Sequence, residues 1–296
     1  VGTVDEKNHT VAVTVPYGTD VTALTPTIEI SALATVSPAS GEVQNFTDPV
    51  RYTVTAENKT QQVYTVTVTV ADPALLTVTA PGSQTLTNFA ETAKAAISEL
   101  PTTVAITSES GVTELPCSWT LKAGTTFDRT PKAANTFHWR ANTTGFAVNG
   151  QTVEGDVTVT NRAAIQLTAD AATLTAEKEY DGSNAISGTA AIGSITGIEA
   201  TDDVAVKTDA SYDGKAVGAH TITVTYTLEG TDAWKYLPPA QQRQAGNIKQ
   251  RPVTISGLAA AARKYEEDNY HVALTGGTIE NLVSGEKVTI DLSGAV

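Results

Sequence analysis

The chain has 296 residues, of which 17% are charged, and its formal net charge at pH 7 is −13. Binding to a nucleic-acid backbone depends on clustered Lys and Arg; the sequence has no such cluster, and we expect no nucleic-acid partner. No apolar run approaches the ~20 residues that a membrane-spanning helix needs, so we expect no membrane insertion of this segment. No secretory leader is recognisable, which predicts an excised or mature segment.

Residues 1–71 show strand patterns almost throughout, and "ADPA" (71–74) is typical of a linker. Polar and apolar residues alternate in "TVAVTV" (10–15), and "PVRYTVTAENKTQQVYTVTVTV" (49–70) is typical of a hairpin with "ENKT" at its tip. "VAVTVPYGTDVTALTPTIEIS" and "YTVTAENKTQQVYTVTV" resemble a small immunoglobulin-like domain common in bacterial surface proteins. The predicted core residues are Tyr52, Val54, Val63, Val66, Val68 and Val70.

Residues 75–163 form a second predicted β-domain that contains the one helix candidate of the chain, near 88–100. Asn88 is placed as an N-cap and Glu91 follows three residues later, which is the spacing of a capping box. In "LPCSWTL" (115–121), Cys117 and Trp119 alternate onto one face of a strand, so we interpret Cys117 as a buried small side chain rather than a nucleophile.

Two tryptophans are candidates for the core of this second domain. Trp119 is predicted to be its central ring, whereas the pattern leaves Trp139 either buried or exposed. The frame "LPTTVAI", "CSWTL" and "NTFHWRA" is similar to bacterial immunoglobulin-like domains. A single cysteine excludes a disulfide within the chain and a structural zinc site made of cysteines.

Residues 164–251 and 252–296 are related by an internal repeat. "KEYDGSNAISG" matches "RKYEEDNYHVALTG", with both Tyr180–Tyr265 and Asn184–Asn269 85 residues apart, whereas Ile195 and Ile279 are 84 apart. The second copy is therefore predicted to be truncated or to borrow its missing strands. Because two copies of one fold share one structure, "ATLTAEKEY" (172–180) and "GLAAAARKY" (257–265) are both predicted strands, despite the alanines of the latter.

These residues carry a family resemblance. "KEYDG", "GIEATDDVAV", "YDGKAVGAHTITVTYTLEG" and "GNIKQRPVTISG" together resemble the YDG repeats of bacterial surface adhesins. The resemblance implies β-rich units in tandem along extended cell-surface or secreted proteins. In the second copy the triplet has become Tyr265-Glu266-Glu267, which keeps an acid and loses the glycine.

Asp181 has three interpretations. General acid–base catalysis needs a second carboxylate at a fixed distance in a cleft, but the neighbouring Glu177 and Glu179 alternate as on a solvated strand face. A calcium ion could be held by "DGSN" (181–184), "TDD" (201–203) or "EEDN" (266–269), none of which has the spacing of a known calcium loop. We favour a structural turn, with Tyr180 as its inward anchor.

Exposed aromatic rings are the better functional lead. Trp234 and Tyr236 stand two positions apart in "DAWKYLPP" (232–239), on one side of an extended segment, where they could stack on a ligand or close the end of the sandwich. The four histidines lie in separate units, and phosphate-loop, dinucleotide and nucleophile-elbow motifs are absent. We therefore predict no cofactor, no metal site and no catalytic residue.

The predicted fold class is all-β, with tandem immunoglobulin-like β-sandwich domains at 1–71, 75–163 and 164–251 and a partial repeat at 252–296. We predict a non-enzymatic bacterial cell-surface or secreted protein that serves in adhesion or as a structural stalk. Its expected partner is a host or matrix protein or a glycan. The alternative is a carbohydrate-binding accessory module of a larger glycan-processing protein. Burial of Trp139, Trp234 and Tyr236 would count against that alternative.

Overall fold

The computed structural model describes residues 1–260, 262 and 274–291. Over these residues the fold is all-β with one short α-helix, which confirms the predicted fold class. Two compact units are present, Val1–Arg162 and Ala163–Val296. The finer division into four domains stays a prediction.

The first sheet is formed by residues 1–70 and has the strand order β1-β2-β5-β4-β3. Strand β2 runs parallel to β5, whereas β4 pairs with β5 in the antiparallel hairpin that the sequence predicts. A 3-10 turn spans Val21–Ala23. The strands are β1 (Thr3–Asp5), β2 (Thr10–Val15), β3 (Thr35–Ser37), β4 (Val50–Thr55) and β5 (Gln61–Val70).

Two aromatic rings form the centre of this first core. Phe46 and Tyr52 are buried, and their rings stack with centroids 6.5 Å apart. The prediction that Val63 belongs to the core is wrong, because its side chain is 36% exposed. Side chains alternate between the two faces of a strand. Val63 has an odd number, so its side chain is on the other face of β5 from the half-buried Val66 and Val68.

The second sheet has the strand order β6-β8-β9-β10-β11-β7. Trp119 and Trp139 are directly opposite each other in the β9–β10 ladder, and both are buried. The carbonyl oxygen of Pro101 accepts hydrogen bonds from Trp119 Nε1 at 2.7 Å and from Cys117 Sγ at 3.2 Å. The strands are β6 (Leu75–Val78), β7 (Gln84–Thr85), β8 (Thr103–Ser108), β9 (Glu114–Leu121), β10 (Ala134–Ala141) and β11 (Glu154–Thr160).

The helix of this unit is shorter than the predicted range 88–100. Helix α1 spans Ala93–Ile97, and Thr92, not Asn88, is its N-cap, since Thr92 Oγ1 accepts from the Ala95 amide at 3.3 Å. The amides of Thr87 and Asn88 donate instead to the carboxylate of Glu99. This carboxylate satisfies the backbone before the helix and leaves Asn88 outside it.

The second unit is built around a sheet with the order β15-β21-β19-β18. Ile222, Val224 and Tyr226 are buried on one face of β19, as the alternating pattern predicts. A 3-10 turn spans Ala233–Lys235. The strands are β12 (Ile165–Gln166), β13 (Thr168–Ala169), β14 (Thr173–Thr175), β15 (Glu177–Glu179), β16 (Ser187–Ala191), β17 (Ile195–Thr196), β18 (Ala205–Tyr212), β19 (Gly218–Glu229), β20 (Tyr236–Leu237), β21 (Gln242–Lys249), β22 (Thr254–Ala260) and β23 (Leu274–Glu280).

Strand pairing preserves the internal repeat. The pairs Ala169–Ile195 and Thr173–Ala191 of the first copy recur as Thr254–Glu280 and Leu258–Gly276, each residue 85 positions later. Strand β22 confirms the predicted extended conformation of the alanine-rich segment as far as residue 260. The change of offset from 85 to 84 residues before Ile279 stays a prediction, and Tyr265 and Asn269 lie outside the described residues.

Candidate functional site

The predicted ligand-binding pair is largely internal. Tyr236 is 4% exposed; its hydroxyl donates to Asp202 Oδ2 at 2.6 Å and accepts from the Glu199 amide at 3.0 Å. Burial, together with the hydrogen bond to Asp202, raises the pKa of this phenol. Trp234 is partly buried in the 3-10 turn that precedes β20. This placement favours the interpretation in which the two rings close one end of the module.

The acidic segment 201–203 is held by a lysine. Lys235 Nζ lies 2.8 Å from a carboxylate oxygen of Asp202 and 2.8 Å from one of Asp232. Burial alone would lower the pKa of Lys235, but the hydrogen bonds to the two carboxylates outweigh this effect and raise it. The ammonium group thus stands where a cation between these carboxylates would bind. Within the described residues, no group of three or more His, Cys, Asp or Glu side chains could hold a metal ion.

The first Tyr-Asp-Gly triplet forms a turn, as predicted, but its buried anchor is Lys178 rather than the partly buried Tyr180. The side chain of Lys178 is 2% exposed, and its ammonium donates to Asp181 Oδ1 at 2.7 Å, to both oxygens of Ser183, and to the Ala185 carbonyl oxygen at 2.8 Å. The hydrogen bond from Lys178 is the main reason that the pKa of Asp181 is lowered to about 2. Because the Asp181 carboxylate is held by these hydrogen bonds, we interpret it as a structural group that braces the turn.

A second Tyr-Asp-Gly triplet, Tyr212 to Gly214, holds a histidine. His220 Nδ1 lies 2.7 Å from Asp213 Oδ1, and Nε2 lies 2.7 Å from the Ala216 carbonyl oxygen. Both partners accept hydrogen bonds only, so both contacts are satisfied when the ring is protonated on both nitrogens as an imidazolium ion. A side chain at Gly214 would begin 2.9 Å from the His220 ring, so a glycine is needed at this position.

Replacing Asp213 with asparagine is expected to lower the pKa of His220. That pKa is raised first by the Asp213 hydrogen bond and then by the Ala216 carbonyl. A raised folded-state pKa stabilises the fold below the unfolded value of about 6.5, and this contribution is lost as the pH rises through the folded pKa. Asp213→Asn should therefore reduce the loss of stability between about pH 6 and pH 8.

This prediction is checked by NMR titration of the histidine Cε1 protons, with urea midpoints measured across the same pH range. His138 is the internal control, because it pairs with Asp156 in the other unit. An unchanged His220 titration in Asp213→Asn would contradict the assignment.

An exposed ring projects from the first sheet at a turn that we call the Tyr17 turn (residues 16–20). Tyr17 is 42% exposed. It is the single aromatic residue among the large, exposed apolar side chains of the described residues. The Pro16 carbonyl accepts from the amide and the hydroxyl of Thr19, and Gly18 has a φ of +78°. These bonds fix the backbone of the turn that carries the ring. The signal in the sequence for this surface is the turn pattern "PYGTD" (16–20).

A polar depression of about 540 Å³, here called the Arg140 depression, opens at one end of the β9–β10 ladder. Arg140 is exposed and its Nε pairs with Glu154 at 3.1 Å. Alternation predicts that Ser118 and Arg140 share this outer face, but the contribution of the loop after β10 follows only from the fold. The lining residues are Pro116, Cys117, Ser118, Arg140, Ala141, Asn142, Thr143 and Thr144.

Comparison with known families identifies two matching segments. Residues 1–68 match the model of the family described as "SGBP, N-terminal", the N-terminal domain of surface glycan-binding proteins. Residues 160–243 match the family described as "YDG domain". No curated protein matches the chain.

Similar solved structures have low identity and low TM-scores. A candidate glycoside hydrolase of Bacteroides thetaiotaomicron is 16% identical, with 80% of this chain and 75% of that chain covered and a TM-score of 0.21. Drosophila N-cadherin EC1-3 is 9% identical, with 81% and 97% covered and a TM-score of 0.27. Mouse cadherin-23 EC22-24 is 12% identical, with 81% and 96% covered and a TM-score of 0.23.

No helix among the described residues combines the length and the apolar character that crossing a bilayer requires.

Proposed function

We propose that this chain is part of a non-enzymatic surface protein that binds glycans through its N-terminal module. The observation that carries the proposal is the match of residues 1–68 to the N-terminal domain of surface glycan-binding proteins. The match supports the carbohydrate-binding alternative drawn from the sequence more than adhesion to a host protein. A cell-surface location follows from the same match.

The Tyr17 turn is the surface that we assign to the sugar. An exposed tyrosine on a hydrogen-bonded turn offers a flat apolar face for the C–H surface of a pyranose and a hydroxyl for its polar groups. It lies inside the matched segment, whereas Trp139 and Tyr236 are buried. The prediction of Trp234 and Tyr236 as contacts stays a prediction, and the burial of Tyr236 makes Tyr17 the first residue to test.

Tyr17→Ala is expected to weaken glycan binding roughly tenfold, which corresponds to about 1.4 kcal/mol. The full chain is screened on an array of plant, microbial and host polysaccharides, and hits are quantified by isothermal titration calorimetry. Leu33→Ala is the matched control, since Leu33 is a 65% exposed, non-aromatic side chain in the same module. Equal affinities of the wild type and Tyr17→Ala would remove Tyr17 from the site.

Two further variants locate the site if Tyr17 does not form it. Loss of binding in Arg140→Ala would place the glycan in the Arg140 depression, and loss in Trp234→Ala would support the contact predicted from the sequence. An array without any hit, or turnover of a polysaccharide by the chain, would contradict the proposed function.

A structural role is the second candidate. The match of residues 160–243 to the YDG domain, followed by a second copy of the same pattern, is typical of modules that space a binding domain from its anchor. This role needs no ligand of its own and is compatible with glycan binding by the N-terminal module.

A further inference from the structure

The first Tyr-Asp-Gly triplet contacts the second repeat as well as its own. The Tyr180 hydroxyl donates to the carboxylate of Glu286, and Gly182 lies against Val283. Val283 and Glu286 belong to one turn, in which the Glu286 amide donates to the Val283 carbonyl at 3.0 Å. The hydrogen bond from Tyr180 also raises the pKa of its phenol. Two residues of the triplet therefore touch a single turn of the following repeat.

Gly182 satisfies two separate requirements. Its φ is +76°, a conformation that glycine adopts without strain. A Cβ at this position would lie 3.1 Å from Val283 Cγ1, closer than ordinary van der Waals contact. Asn or Asp tolerates the left-handed conformation, but any side chain would press on Val283. The close approach of the second repeat is thus an independent reason for glycine at this position.

Arg251, in the connection between the two repeats, ties the same turn to the triplet. Its Nε and Nη2 donate to the backbone and side-chain oxygens of Asn281, each at 2.7 Å, and Nη1 lies 3.5 Å from the Tyr180 carbonyl oxygen. The Asn281 amide group in turn donates to the Pro252 carbonyl at 2.9 Å. The connection is therefore braced on both sides by hydrogen bonds.

We propose that the Tyr-Asp-Gly triplet of one repeat is a joint that docks the next repeat. Its tyrosine and glycine receive the turn at 281–286, and its aspartate braces the corner internally through Lys178. The partner of this surface is a second copy of the same repeat. Such an interface restricts motion about the connection at residues 250–252.

The second copy differs from the first at the glycine of the triplet. Its triplet reads Tyr265-Glu266-Glu267 and lies outside the described residues. Glu267 stands where the first copy has Gly182, so the reason for a glycine given above applies to the first copy alone.

Gly182→Val in the full chain is expected to raise amide hydrogen exchange of residues 274–291 about tenfold, while exchange in β18, β19 and β21 stays unchanged. Gly188→Val is a matched control, because Gly188 also has a φ of +76° but a side chain there would meet no atom within 4 Å. If backbone strain alone caused the effect, both variants would show the same amide exchange at residues 274–291, and that result would overturn the proposal. Val283→Gly removes the contact from the other side and leaves the triplet intact; it should also raise exchange at 274–291.

A double-mutant cycle tests the tyrosine separately. Tyr180→Phe removes the donor and Glu286→Ala removes the acceptor of the hydrogen bond, so the double variant should exchange no faster at 274–291 than the faster single variant. Fully additive effects would show that the two residues act independently and would contradict a shared joint. Neither experiment depends on glycan binding.

Discussion

Replacing Lys178 with alanine is expected to lower the free energy of unfolding of the unit Ala163–Val296 by about 3–4 kcal/mol. The ammonium of Lys178 is the shared donor for Asp181, Ser183 and Ala185, and its side chain is 2% exposed. Without it, the partly buried carbonyl groups of Ser183 and Ala185 lose their partner, and a cavity forms beside Tyr212, whose ring centroid lies 5.5 Å from the ammonium. Both effects act on the folded state.

The matched control is Lys207→Ala in the same sheet. Lys207 pairs with Glu229 at 2.6 Å, but both side chains are more than half exposed, so we expect a change within about 0.5 kcal/mol. Urea denaturation at pH 7, followed by far-UV circular dichroism and by the NMR amide signals of β18, β19 and β21, measures both variants. A Lys178→Ala midpoint that is shifted no further than that of Lys207→Ala would refute a bracing role.

The same ion pair predicts a response to acid. Because the pKa of Asp181 is about 2 in the folded protein, against an ordinary 3.8, its charge stabilises the fold above the ordinary value. This contribution is lost as the pH falls through about 4 toward 2. Lys178→Ala should therefore lose less stability between pH 5 and pH 2 than the wild type does.

Trp139→Ala is expected to destabilise the unit Val1–Arg162 by about 3–5 kcal/mol. Trp139 is 1% exposed, stands opposite Trp119 in the β9–β10 ladder, and lies so close to Gly155 that a Cβ there would be 3.2 Å from its Nε1 atom. The neighbouring strands cannot close the space that an indole leaves, because both are held in register on either side of β10.

His138→Ala is the control for this variant, since His138 lies on the opposite face of the same strand and pairs with the exposed Asp156. We expect it to change stability by less than about 1 kcal/mol. Urea unfolding of this unit is followed by the NMR amide signals of β9, β10 and β11 for both variants, and the transition of β18, β19 and β21 should stay unchanged. Equal midpoints for the two variants would contradict a core role of Trp139.

Much of the fold follows from local patterns. Ile222, Val224 and Tyr226 are buried together because a strand sends alternate side chains to one face. The same rule explains the error at Val63, whose odd-numbered position in β5 places it on the outer face. Helix α1 is another local case. The carboxylate of Glu99 accepts hydrogen bonds from the amides of Thr87 and Asn88, so the helix does not begin at the N-cap that was predicted at Asn88.

The candidate surfaces depended on the tertiary structure to a greater extent. Tyr17 and Tyr236 are both tyrosines in proline-containing polar segments, and only the fold makes one exposed and the other buried. The fold determines this because burial depends on what packs over a segment, and a segment's own composition does not specify that. The depression at Arg140 likewise combines a strand pair with the loop after β10.

By itself the sequence determined that the chain is all-β, that its last part repeats an earlier one, and that strand residues such as Ile222 point inward. Alternation and repeat spacing are properties of neighbouring residues, so they can be read without a structure. Only the tertiary structure decided that Lys178 is buried within "EKEYDG" and that Tyr180 meets Glu286. The acceptors around Lys178 converge only when the chain turns back, and Glu286 lies 106 residues from Tyr180, so packing alone brings these groups together.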